Sequence, residues 1–265
     1  MSRETFEEHE AQAGSDPIHK AQELMHPALP KRFYKDVTVE ERDQGHVVLL
    51  DARPVKTPGK LTLALPLAGL AKAVAEEWRA QVEVIDPDTM HLTRIVNSGI
   101  EAVPARHGEV VEAVAAYAGS DLLCYRAEGP DRLVARQTDT WGPVLAWAES
   151  GLGARLMLVE GIMPVDQPED ALATVREAVG RFGALELAAL HTVTTLTGSV
   201  LLALALAAGE IDADRTWAAA HVDEDWNAEL WGQDAEAMQH RECKRAEFDA
   251  AVLILKAMVG RQDPR

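Results

Sequence analysis

The stretch FYKDVTVEERDQGHVVLLDARPVKTPGKLTLAL, residues 33–65, decides the fold. FYKDVTVEE and GHVVLLD are short runs with β-branched residues, split by the turn-like Arg42-Asp43-Gln44-Gly45, and they predict two strands. Asp51-Ala52-Arg53-Pro54 predicts a turn, because a proline cannot donate to the ladder of a central strand. A second turn follows at Lys56-Thr57-Pro58-Gly59-Lys60, and Leu61 to Leu65 alternates apolar with small or polar residues. The whole predicts a meander of three or four strands.

Downstream the period changes from two to between three and four. Pro66 suits a first helical position, and Leu67, Leu70, Ala71, Val74 and Trp78 then recur on one apolar face. Asp86-Pro87-Asp88 is expected to start a second helix through Met90, Leu92, Ile95, Val96 and Ile100. Pro104 is expected to start a third, with Val111, Val114, Ala115 and Ala118 inward and Gly119 as its stop. DLLCYRA, residues 121–127, reads as a strand returning to the sheet. Further helices are expected near 131–150, 168–181, 184–208, 213–230 and 234–259, with one short strand over 155–159. The fold class is therefore α+β. Residues 31–127 form a smaller N-terminal domain with antiparallel strands and helices, and 128–265 an all-helical C-terminal domain. Residues 1–30 read as a flexible acidic segment, with two basic residues against six acidic ones.

Composition narrows the function. The 265 residues carry 26 Lys plus Arg against 43 Asp plus Glu, a net charge of −17, which repels a phosphate backbone and makes nucleic acid a poor partner. The two cysteines, Cys124 and Cys243, lie far apart and form no CxxC pattern, which favours a reducing compartment. The first thirty residues have neither the apolar run of a secretory signal nor the Arg-rich, acid-poor character of a mitochondrial presequence, so a cytoplasmic location is expected. Leu187 to Ala208 lacks Asp, Glu, Lys and Arg and is long enough to span a bilayer. Its His191, four threonines, Gly198 and Ser199 favour instead a buried central helix broken near Thr197-Gly198-Ser199, without stable membrane insertion.

Catalytic signatures are missing. There is no GxxxxGK[ST] loop, GxSxG elbow or HExxH motif, and no cofactor or metal is called for. The pairs Asp86/Asp88 and Asp212/Asp214 sit where helix caps are expected. His91 and His191 lie in apolar surroundings, where a satisfied histidine is the usual reading. His240 and Cys243 alone make a poor zinc site.

The segment IDADRTWAAAHVDEDWNAELWGQD, residues 211–234, stands apart, with seven acids against one base and three of the six tryptophans. At helical spacing Trp217, His221, Glu224, Ala228 and Trp231 form one stripe, and Val222, Trp226 and Leu230 form its neighbour. That places Glu224 between large aromatics. One reading is a core helix with a solvated acidic edge. The other is a partner surface, in which tryptophans beside a charge act as anchors and the carboxylate selects a basic group.

Several of these segments resemble one family, the assembly chaperones for the F₁ sector of F-type ATP synthase, in the branch specific for the α subunit. The resemblance runs from about residue 31 to 258. It rests on KRFYK (31–35), VVLLDARPVKTP (47–58), AEEW (75–78), DPDTMHLTRIVN (86–97) and DLLCYRA (121–127). It continues through Gln137 to Trp141-Gly142-Pro143, GIMPVDQP (161–168), TGS (197–199) and DEDWNAELWG (223–232). Ala52 stands where that family usually has glycine, and His91 where proline is more usual. The resemblance implies a bacterial-type chaperone without turnover or cofactor. It would bind the unassembled α subunit and prevent its aggregation until β arrives; a monomer is expected, although the sequence does not fix the oligomeric state. It assigns partner binding to Glu224 with Asp223 beside it and a structural role to Trp78, and the aromatic stripes add Trp226 and Trp231 as expected partner-binding residues. Two other readings stay in view: a soluble enzyme with a site at His91 or the 223–229 carboxylates, and a membrane factor built on Leu187–Ala208.

Overall fold

The computed structural model describes residues 29–161, 163–232 and 234–259. The acidic segment expected over 1–30 lies, up to residue 28, outside the described residues.

Strands β1 (Val37–Arg42) and β2 (Gly45–Leu50) form the expected hairpin, in register from Val37 opposite Leu50 to Arg42 opposite Gly45. Gly45 has φ +114°, and a Cβ there would sit 2.6 Å from the Leu65 carbonyl oxygen, so only glycine fits. The other edge of β2 is shared: β3 (Arg53–Pro54) pairs with Leu49 and Leu50, and β4 (Ala64–Leu65) pairs with His46 and Val47. Asp51 and Ala52, both at positive φ (47° and 66°), make the two-residue turn from β2 to β3. The Asp51 carboxylate accepts the Lys35 and Asp36 N–H groups at 3.0 and 2.9 Å, which holds its pKa below the ordinary value. Thr57 closes the next turn, its hydroxyl accepting the Leu61 N–H at 3.1 Å.

Helix α1 (Ala68–Ala80) lies on β1 and β2 and buries Leu70, Ala71, Val74 and Ala75 against the sheet. It starts two residues after Pro66, with Leu67 as its cap, rather than at the proline. Asp86-Pro87-Asp88 does not start the second helix either. Asp86 caps a single 3-10 turn, Pro87–Thr89, and helix α2 (His91–Ala105) begins beyond it. Its first N–H groups are satisfied from another helix: Glu77 of α1 accepts from Leu92 N, Thr93 N and the Thr93 hydroxyl, each at 2.7 Å. Pro104 lies inside the last turn of α2, and helix α3 (His107–Ala115) starts three residues later. A proline in a last turn removes one hydrogen bond without blocking the helix before it, so the sequence signal is ambiguous.

The 121–127 segment does not return to the sheet. Leu122–Cys124 is a 3-10 turn, and only Tyr125–Arg126 (β5) is a strand, pairing in parallel with β6 (Val159–Glu160) in a separate two-stranded sheet. Helix α4 (Asp131–Trp147) runs into a wide turn, Ala148–Leu152, that Gly153 ends at φ +80°. Helix α5 (Glu169–Gly180) packs on α3.

The apolar run breaks where its glycine lies. Helix α6 (Ala184–Thr197) stops at the left-handed Gly198, and α7 (Val200–Ala208) starts with Ser199 accepting the Leu202 N–H at 3.0 Å. Both helices are buried nearly all round, α6 against α2 and α10 (Ala235–Val259), and α7 against α4 and α8 (Ala213–Ala220). Among the described residues no helix is long and apolar enough to cross a membrane. Gly99 lets α2 and α6 touch, since a Cβ there would lie 2.9 Å from the Leu185 Cα. The fully buried Asp121 fastens the α6–α7 break from outside, accepting Leu123 N and Leu201 N at 3.1 Å each and bonding to Ser199. The helix expected over 213–230 is interrupted at His221, giving α8 and then α9 (Val222–Trp231). The buried apolar residues on both sides of residue 128 form one cluster.

Candidate functional site

Helix α9 has two differently used faces. The inward face is locked to α4. Trp226 is buried beneath the guanidinium groups of Arg132 and Arg136, which lie 5.7 and 5.5 Å from its ring. Asp223 accepts Gln137 Nε2 at 2.7 Å, and the Gln137 oxygen in turn accepts the Ala127 N–H at 2.9 Å. Glu229 pairs with Arg136 at 2.8 Å. Next to this lock, Trp141 of α4 is buried and donates its indole N–H to the Ala219 carbonyl at 2.7 Å.

The outward face holds the stripe read from the sequence. Trp217, His221, Glu224, Ala228 and Trp231 all line one groove of about 750 Å³, despite the break between α8 and α9 at His221. Trp217 closes its floor, stacked on His221 (centroids 4.1 Å apart) and on Phe248 (5.1 Å). Glu224 is 70% exposed, and its carboxylate lies 3.6 Å from His221 Nε2. Trp231, at the C-terminal end of α9, is 85% exposed. The expected site residues thus separate into Glu224 and Trp231 in the groove and Asp223 and Trp226 behind it.

The far wall is the first half of α10, with Ala237, Met238, Arg241, Lys244 and Arg245, of which the sequence marks the last three only as a short basic cluster. A signal was present: AEAMQHRECKR, residues 235–245, has no apolar stripe, while the later FDAAVLILKAM does. Residues 235–240 are exposed at every position. Two ion pairs hold this arm, Arg241 to Asp225 at 2.5 Å and Arg245 to Asp214 at 2.6 Å, with Arg245 also reaching Asp249 at 2.9 Å. The Arg245 contact draws the Asp214 pKa down.

The remaining expected residues lie elsewhere. Trp78 is half-buried, its ring 5.8 Å from that of Tyr34, whose hydroxyl donates to the Trp78 carbonyl at 2.6 Å. Asp86 and Asp212 are helix caps, accepting Asp88 N at 3.0 Å and Arg215 N at 2.8 Å. His91 is the first residue of α2, and His191 lies in a separate crevice with Arg94 and Glu247. Burial lowers the His191 pKa and pushes the Cys124 thiol up to about 12. Cys243 is exposed, and both cysteines are free. Among the described residues no three His, Cys, Asp or Glu side chains are placed to hold a metal ion.

A family model described as ATP12 chaperone protein matches residues 31–149. The chain is similar to the Atu1473 protein of Agrobacterium tumefaciens, with 47% identity and a TM-score of 0.82 over 93% of this chain and 92% of that one. It is also similar to Atp12 of Paracoccus denitrificans, with 40% identity and a TM-score of 0.79 over 86% of this chain and 97% of that one. An aspartate-to-lysine mutant of the Paracoccus protein matches at a TM-score of 0.78 and the same identity and coverage.

Proposed function

The chain belongs to the ATP12 chaperone family, and we propose that it is an assembly chaperone of ATP synthase that binds the unassembled α subunit of the F₁ sector until β takes its place. An unassembled α subunit exposes a surface meant for β, and such a surface drives wrong association. A temporary partner covers it through few anchors, so that it also leaves. The observation that carries the reading is Trp231, 85% exposed beside an exposed carboxylate on a helix whose other face is locked. A large aromatic left in water on a rigid support suits an interface anchor. Glu224 and Trp231 make the contact, while Asp223 and Trp226 hold α9 in place. Trp78 serves the fold. The net charge of −17 keeps the chaperone soluble and steers it toward basic surfaces. No turnover or cofactor is involved, and the protein works as a cytoplasmic monomer.

Co-expression with the cognate α and β subunits separately, followed by affinity capture and light-scattering mass, tests this. The expected result is a one-to-one complex with α that added β displaces, and that Glu224→Lys weakens with the thermal unfolding midpoint unchanged. If the wild-type chain captures neither subunit, the reading is wrong.

A further inference from the structure

We propose that the groove between α9 and α10 receives a helix of the client, which places a lysine or arginine between Glu224 and His221. This deepens the reading above and rests on it.

The recognition of a cation follows from hydrogen-bond chemistry. His221 Nδ1 lies 2.7 Å from the Trp217 carbonyl oxygen, which can only accept, so the ring proton sits on Nδ1. In the neutral ring Nε2 is then an acceptor, and it faces the Glu224 carboxylate 3.6 Å away. Two acceptors so close want a shared donor, and an ammonium or guanidinium group supplies it. The groove's own arginines make their ion pairs with other carboxylates, Arg241 with Asp225 and Arg245 with Asp214 and Asp249, and Arg241 reaches Glu224 only through a weaker charge interaction, with Lys244 lining the same groove. The exposed ring of Trp231 in the same groove adds cation–π attraction.

The choice of a helix follows from the walls. Both are helices, and their backbone groups are bonded within themselves, so no strand edge is offered to an extended segment. A helix satisfies its own backbone and needs only side-chain anchors. The exposed first turns of α10, with Met238 opposite the exposed Trp231, give it an adaptable apolar seat.

The test titrates purified α subunit into the full chain and reads Trp231 emission, with Trp231→Phe as the blank. The variants are Ala237→Trp, which fills the groove from an exposed position, and Glu224→Gln, which removes the charge at constant shape. The expected result is a blue shift on binding and at least tenfold weaker affinity in each variant, with unchanged circular dichroism. Wild-type affinity in both variants would overturn the groove while leaving the chaperone reading intact. No binding by the wild-type chain would bring down both. A wild-type mass of two chains that Ala237→Trp returns to one would assign the groove to a second copy and overturn the client helix.

Discussion

Replacing Asp121 with asparagine removes a fully buried carboxyl that bridges the 3-10 turn at Leu122–Cys124 to the start of α7. Burial raises its pKa from 3.8 to about 6, against the downward pull of the Ser199, Leu123, Leu201 and Val200 hydrogen bonds. The folded state therefore holds this proton more tightly than the unfolded chain. Its stabilising contribution is complete below pH 3.8 and is lost as pH rises through about 6. The full difference corresponds to about 3 kcal/mol, of which roughly 2–3 kcal/mol falls between pH 4 and pH 7. Asp121→Asn keeps one acceptor and leaves one buried N–H without its oxygen, a constant cost of about 1–2 kcal/mol at every pH. Urea unfolding of both proteins, followed by tryptophan fluorescence at several pH values from 4 to 7, isolates the effect because all other titrating groups cancel in the difference. The wild-type advantage should shrink by about 2–3 kcal/mol as pH rises. Parallel profiles would refute the reasoning and show a carboxyl whose hydrogen bonds offset its burial in full.

Ala52→Gly should stabilise the protein by about 0.5–1 kcal/mol, since the residue sits at φ 66° and glycine relieves a left-handed strain of about 1–2 kcal/mol at some entropic cost; a lowered unfolding midpoint would count against the turn as described. Glu77→Gln should cost about 1–2 kcal/mol, because an amide nitrogen cannot accept at the start of α2; unchanged urea unfolding would mean that water caps the helix equally well. Trp78→Asp should lose about 3 kcal/mol or more by removing the Tyr34 contact and placing a charge against the core. Its unfolding midpoint and soluble yield should both drop, whereas Glu224→Lys, on an exposed carboxylate, should leave them within about 0.5 kcal/mol.

The legible parts of the molecule are those with local causes. The hairpin at 37–50, the turn at 51–54 and the break at Gly198 each follow from side-chain alternation, proline or glycine within a few residues. The Trp217–Trp231 stripe was legible for the same reason, although the break at His221 was not. Misplaced elements had non-local causes. Helix α2 starts at His91 because Glu77, fourteen positions earlier, caps it, and Asp86 is used by a shorter turn. Tyr125 and Arg126 found their partner at Val159 and Glu160 rather than in the first sheet, a choice that strand propensity does not encode.

Sequence periodicity by itself determined the α+β class, the order of the elements and which side chains share the outer face of α8 and α9, because each of these is set by neighbours along the chain. Tertiary structure alone decided that Trp226 is buried under two arginines while Trp231 stands in water. It also brought the first turns of α10 opposite Glu224 to make a groove. The physical reason is the same in both cases: a helical stripe states which residues point the same way, and only the packing of α4 and α10 around it states what they point at.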